Sequence, residues 1–115
     1  MMEGGALDHH ATFQSPVQER DEDGQIVQGW RDEFTGWANV RYLRGGESVM
    51  QARMQSKTPA ILTFRSSVEA RRVTSEWRVL ARDRSGMERL FEVKEDPRPT
   101  DGGGFLEVLV EAGRG

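Results

Sequence analysis

Few of the 115 residues are of a type that does covalent or metal chemistry, and their spacing is poor for it. Asp8-His9-His10 is the one histidine cluster. Adjacent residues of a strand point to opposite faces, so His9 and His10 do not converge on one ion, and a metal site needs three or four ligands. The run Glu19–Ile26 has the spacing of the start of a calcium loop, with Glu19, Asp21 and Asp23 at positions one, three and five and Gly24 at six. Trp30 stands where the closing bidentate Glu belongs, and the flanks alternate like strands, so the run is read as a hairpin turn. Gly102-Gly103-Gly104 lacks the Lys-Ser/Thr and the following helix of a phosphate loop. There is no cysteine, hence no disulfide and no thiolate nucleophile. A Ser–His pair would depend on a histidine near the chain start, and no carboxylate pair is singled out by spacing. The expectation is a protein without catalytic residues, metal or other cofactor.

The remaining chemistry is that of surfaces. The middle of the chain, residues 41–84, carries nine Arg and Lys57 against four acids, while residues 1–40 carry eight acids against two Arg. Arginine outnumbers lysine 14 to 2, and its planar fork suits carboxylates and phosphates at interfaces. Arg41, Arg44, Arg53, Lys57 and Arg65 suit either phosphate tracking or pairing with carboxylates. Trp30, Trp37, Trp77, Phe64 and Phe91 alternate with charged residues and so predict core positions in preference to base-stacking platforms.

The elements that position these residues read as strands. Alternation over 11–20, 25–35, 37–43, 59–65, 77–83, 88–94 and 105–111, with β-branched and aromatic content, predicts half-buried strands. Ile26, Trp30 and Phe34 would share one face; so would Ala38, Val40 and Tyr42, and Leu62 and Phe64 opposite Thr63 and Arg65. Asp21–Gly24 and Asp83–Gly86 predict hairpin turns, and 97–104 a longer loop. The segment 45–57, with Val49, Met50 and Met54 at helical spacing, predicts a short helix or a long excursion. Ser66 and Glu69 have capping-box spacing, allowing one helical turn. The fold class expected is all-β: one small barrel of six or seven mostly antiparallel strands, one domain over 1–115, with a long loop or short helix inserted. The start Met1–Gly5 has no basic or apolar character, and no apolar run is long enough to span a bilayer, so neither a signal peptide nor a membrane partner is expected.

The order of features resembles a known family. Leu7–Gln14 precedes the Asp23-Gly24 turn and a strand with Trp30. Trp37-Ala38-Asn39-Val40-Arg41 and Leu43-Arg44-Gly45-Gly46-Glu47 follow. Ile61–Arg65, Val73-Thr74, Trp77-Arg78-Val79, Leu90–Val93 and Leu106-Glu107-Val108 complete the series. Over roughly residues 7–111 this resembles the head–tail joining proteins of tailed phages, of the head-closure or stopper type, a family also found in phage-like gene transfer agents.

The resemblance implies a structural protein of the virion neck, assembled in the bacterial cytoplasm. It implies a ring of six or twelve copies between the portal–adaptor stack and a tail terminator or tail tube protein. That ring surrounds double-stranded DNA in the channel and retains or passes it. The loop 44–57 would face the channel through Arg44, Glu47, Val49, Met50, Arg53, Met54 and Lys57. A ring closes through heterologous contacts, for which a basic patch with Arg65, Arg71 and Arg72 and an acidic one with Glu19 and Asp21 are complementary. Two other readings compete: a tail terminator or other neck ring protein, and a monomeric barrel that binds single-stranded nucleic acid.

Overall fold

The computed structural model describes residues 7–44, 46–100 and 102–113, without the side chains of Ser48 and Arg53. Its strands are β1 (His9–Arg20), β2 (Ile26–Tyr42), β3 (Thr58–Arg65), β4 (Arg78–Arg82), β5 (Glu88–Val93), β6 (Arg98–Pro99) and β7 (Phe105–Ala112), with one helix, α1 (Glu47–Met54), between β2 and β3. All pairings are antiparallel, in the order β3-β2-β1-β4-β5-β7-β6, and β3 also pairs with β7. That last pairing closes a six-stranded barrel, to which β6 is appended along part of β7. Closure removes the open edges that a sheet of this size would otherwise present.

Alternation fills the interior. Ala11, Phe13, Ala38, Leu62, Phe64, Val79, Ala81, Phe91, Val93, Leu106, Val108 and Val110 are buried. Large residues face small ones across the ladders: Phe64 is in register with Ala38, and Phe91 with Ala112. Small barrels pack by this large–small alternation. A 3-10 turn, Ala70–Arg72, adds Ala70 and Val73 to the core. Its cap differs from the sequence expectation. The Ala70 N–H donates to Ser67 Oγ (2.9 Å), Arg71 Nε donates to Ser66 Oγ (3.3 Å), and Glu69 makes no side-chain cap.

The two predicted turns share one solution. Asp21 Oδ1 accepts from the N–H groups of Asp23 and Gln25; Asp83 Oδ1 accepts from those of Ser85 and Met87. Gly24 and Gly86 follow with φ of 80° and 90°, which a side chain would strain. The Ser85 hydroxyl and these backbone donors hold the Asp83 carboxyl below its ordinary range. Since the native pKa is depressed, the turn's contribution is present above the unfolded-state pKa and is lost as pH falls through the native one. An NMR titration is expected to place Asp83 below the ordinary aspartate range, and Asp83→Asn to remove that part of the acid dependence of stability.

Four expectations need correction. Residues 25–35 and 37–43 form one 17-residue strand. Phe13 pairs with Phe34 but Gln14 with Asp32, so Glu33 is an extra residue, a β-bulge that shifts the side-chain parity. Ile26, Trp30 and Phe34 therefore do not share one interior face: Phe34 packs on the core, while Ile26 is 60% exposed. Tyr42, expected inside, is exposed, its hydroxyl taking a hydrogen bond from Arg89 (3.1 Å). Thr63, expected outside, is buried, in register between Asn39 and Glu107.

Candidate functional site

Three surfaces stand out from the barrel. The first is α1. Glu47 opens the helix, where a carboxylate suits the positive end of the helix dipole. Val49 and Ala52 are buried, and the helix contacts β3; Met50 and Met54 lie one turn apart and are 59% and 83% exposed. The helix ends at Ser56 (φ 62°), where the Lys57 N–H returns to the Ala52 carbonyl (2.8 Å). The segment read as a long loop or a helix is thus a short helix docked on the barrel. Arg44 is exposed just before it, and the Arg53 side chain lies outside the described residues. Lys57 is half-buried, with Nζ 3.9 Å from Glu111, which also lies 3.7 Å from Lys94 Nζ. The only two lysines of the chain therefore meet on one carboxylate.

The second surface is an arm. β1 pairs with β4 only over His10–Gln14, and β2 with β3 only over Ala38–Tyr42. From Ser15 to Arg20 and from Ile26 to Arg31 the two strands pair with each other alone. At about 3.4 Å per residue this ribbon reaches about 20 Å beyond its root. Its root is clamped. The Arg78 guanidinium lies 4.3 Å from the Trp30 ring centroid, Arg78 Nε donates to Gln14 Oε1 (2.6 Å), and Gln14 Nε2 donates to Asp32 Oδ1 (2.6 Å). Pro16 lies past the last β4 partner, on the free edge, where its missing N–H does no harm. Ile26 and Val27 are exposed on the stem. At the tip Glu19, Asp21, Glu22 and Asp23 outnumber Arg20, whose guanidinium is bonded to the Gly24 carbonyl (2.9 Å).

The third surface surrounds Trp37. This ring, expected in the core, is 57% exposed, because the interior positions of β2 after the bulge are the even-numbered ones beginning with Phe34 and Ala38. It meets His10 edge-on (5.4 Å between centroids) and separates two clefts. One, of about 320 Å³, is lined by Leu7, Asp8, Trp37, Arg65 and Arg84. The other, of about 560 Å³, runs past Glu33, Phe34, Arg65, Ser66 and Glu69. Arg65 lies over the Phe105 ring (5.6 Å), and Arg71 and Arg72 are exposed on the adjoining turn. Arg65 and Arg84 make no ion pair among the described residues.

The structure thus brings Arg65 and Arg71 near one another and places Glu19 and Asp21 far out on the arm. Arg84 and the arm were not singled out by sequence, and Trp37 was expected in the core. The signal for the stem was present in the lengths of the stretches flanking the Asp21 turn, which exceed every other strand. Of the five aromatics weighed as stacking platforms, Phe64 and Phe91 are buried, Trp77 packs against the core and Trp30 is covered by Arg78. A stacking surface would be left with Trp37. His9 Nδ1 is engaged with Asp8 (2.8 Å), and among the described residues no three acidic or histidine side chains are grouped as for a metal.

A closed barrel bearing an arm and a docked helix defines the chain as a small all-β module. The chain belongs to the phage head completion protein family, whose model matches residues 2–113. No curated protein matches it. Among solved structures it is similar to protein SF1141 from Shigella flexneri 2a, at 22% identity and a TM-score of 0.66 over 97% of each chain. It is also similar to a chain from the virion of a native gene transfer agent particle, at 22% identity and a TM-score of 0.57 over 89% of this chain and 90% of that one.

Proposed function

We propose that this chain is a structural head-closure protein of a phage or gene transfer agent particle, forming a ring at the joint between portal–adaptor and tail. The observation that carries the reading is the family match across nearly the whole chain. The similarity to a chain of a gene transfer agent virion agrees with it. The function requires no catalytic residue and no cofactor, only surfaces that select neighbours. In the ring, the α1 surface with Arg44, Glu47, Met50, Arg53 and Met54 faces the channel, where positive charge attracts DNA phosphates. Val49 anchors the helix to the barrel, and Lys57 braces its exit against Glu111. Arg65, Arg71 and Arg72 on one side, and Glu19 and Asp21 on the other, serve contacts between subunits. The ring contains six or twelve copies and is assembled in the bacterial cytoplasm. Retention of DNA is a movement of the α1 segment and needs no bond to break.

The test is cryo-electron microscopy of particles from cells with and without the gene. The expected result is a ring that accommodates this barrel at the head–tail joint, and tailless or DNA-depleted heads without it. Normal tailed particles from the deletion strain would overturn the reading.

A further inference from the structure

We propose that the β1–β2 arm of one copy lies in the Trp37 cleft of a second copy, with its acidic tip against Arg65 and Arg84. This rests on the ring reading and names the surfaces that build it. An isolated two-stranded ribbon is marginal in water. Here the ribbon from Ser15–Arg20 and Ile26–Arg31 has no third strand, and it exposes Ile26 and Val27. Pro16 on the free β1 edge disfavours strand addition there, so the ribbon is suited to docking through its side chains.

The cleft supplies the matching features. Trp37 and arginine are the residue types that anchor interfaces, and Trp37 is the exposed tryptophan among the described residues. Arg65 and Arg84 beside it have no ion pair there, while the tip has four carboxylates against one arginine that is occupied by a backbone carbonyl. The acids at the clefts are partly committed: Asp8 to His9 and Glu33 to the Ser15 hydroxyl, which leaves Glu69 on the far side from Arg84. The contact cannot form within one chain. Tip and Trp37 belong to the same ribbon, separated by most of β2. Arm into cleft is a heterologous contact, using a different patch on each partner, as a closed ring requires.

The chain has no cysteine, so introduced pairs report without background. The full chain carrying Glu22→Cys and Arg84→Cys is assembled into particles and oxidised. A ladder of covalent multimers is expected, where either single variant gives dimers at most. The pair Asp23→Cys and Arg65→Cys guards against unsuitable sulfur geometry at the first. A second measurement reverses charge. Arg65→Glu with Arg84→Glu is expected to lower incorporation at least tenfold, and Glu22→Arg with Asp23→Arg in the same chain to restore it. If the chain is present in the neck with neither ladder nor rescue, or the tip cross-links to a different protein, the arm contact is overturned and the neck assignment stands. If the unmodified chain is absent from particles, both fail.

Discussion

Phe13→Ala is expected to cost about 3–5 kcal/mol of folding stability, the range for removing a fully buried aromatic ring from a core. Phe13 has no exposed surface, stacks on Phe34 at 4.4 Å between centroids and meets Phe64 at 4.7 Å. It therefore joins β1, β2 and β3 at the level of the bulge, where the barrel ends and the arm begins. A domain of this size has total stability on the order of 5–15 kcal/mol, so the variant sits near its unfolding limit. Urea denaturation of the purified chain measures this, and the midpoint is expected to fall steeply. Phe13→Leu keeps most of the apolar volume and is expected to lose less than half as much. Equal losses for the two would mean that the ring itself, and not the volume it fills, carries the contribution.

The same position shows why part of the fold was legible in the sequence and part was not. Strands that pack one face inside and one outside advertise themselves by alternation. Val79 and Ala81 against Arg78 and Arg82, or Leu106, Val108 and Val110 against Glu107 and Glu111, are buried and unburied as their spacing predicts. The Asp-x-x-Gly turns were equally plain, because the carboxylate and the positive-φ glycine are both needed to close them. A bulge leaves no such trace. Inserting Glu33 changes which parity points inward, and a reading that carries Ile26, Trp30 and Phe34 along one face crosses the insertion unaware. The division between 25–35 and 37–43 falls elsewhere, at Gly36, through which the strand runs unbroken.

The candidate surfaces were legible only as charges and residue types. Periodicity reports which side of a strand is apolar, not how far the strand continues after its neighbours end. Ile26 and Val27 look like core residues in the sequence and are exposed because no third strand reaches them. Trp37 looks like core because tryptophan usually is, yet it has the outward parity of its strand. Conversely, Lys57 counted toward a basic patch, but the strand ladders bring it and Lys94 to the same carboxylate of Glu111. Such pairing depends on residues 54 and 17 positions apart, which local pattern does not record.

Replacing Arg78 is expected to unfasten the arm while leaving the barrel folded. Its guanidinium covers Trp30 on β2 and bonds Gln14 on β1, and Gln14 in turn bonds Asp32 across the bulge. A stacked cation contributes about 0.5–1 kcal/mol at a partly exposed site. A hydrogen bond to a charged group contributes about 1.5–3 kcal/mol when both partners are held. Arg78→Met keeps the apolar stem and loses both interactions. The arm has no other link to β4, since the β1–β4 ladder ends at Gln14 and Arg78 itself. Opening of the ribbon from Ser15 to Arg31 is then expected to become at least tenfold more frequent. Amide hydrogen exchange reads this directly: faster exchange in peptides covering 15–31, with those covering Leu62, Phe64 and Val108 nearly unchanged. Uniform acceleration across the chain would show instead that Arg78 supports the barrel as a whole. Arg78→Lys discriminates further, because it retains charge over Trp30 but loses the planar fork, and it is expected to fall between the two. If the arm is what one subunit offers another, the variants will rank in the same order for entry into the neck, since an arm that must first be ordered binds more weakly by the free energy of ordering it.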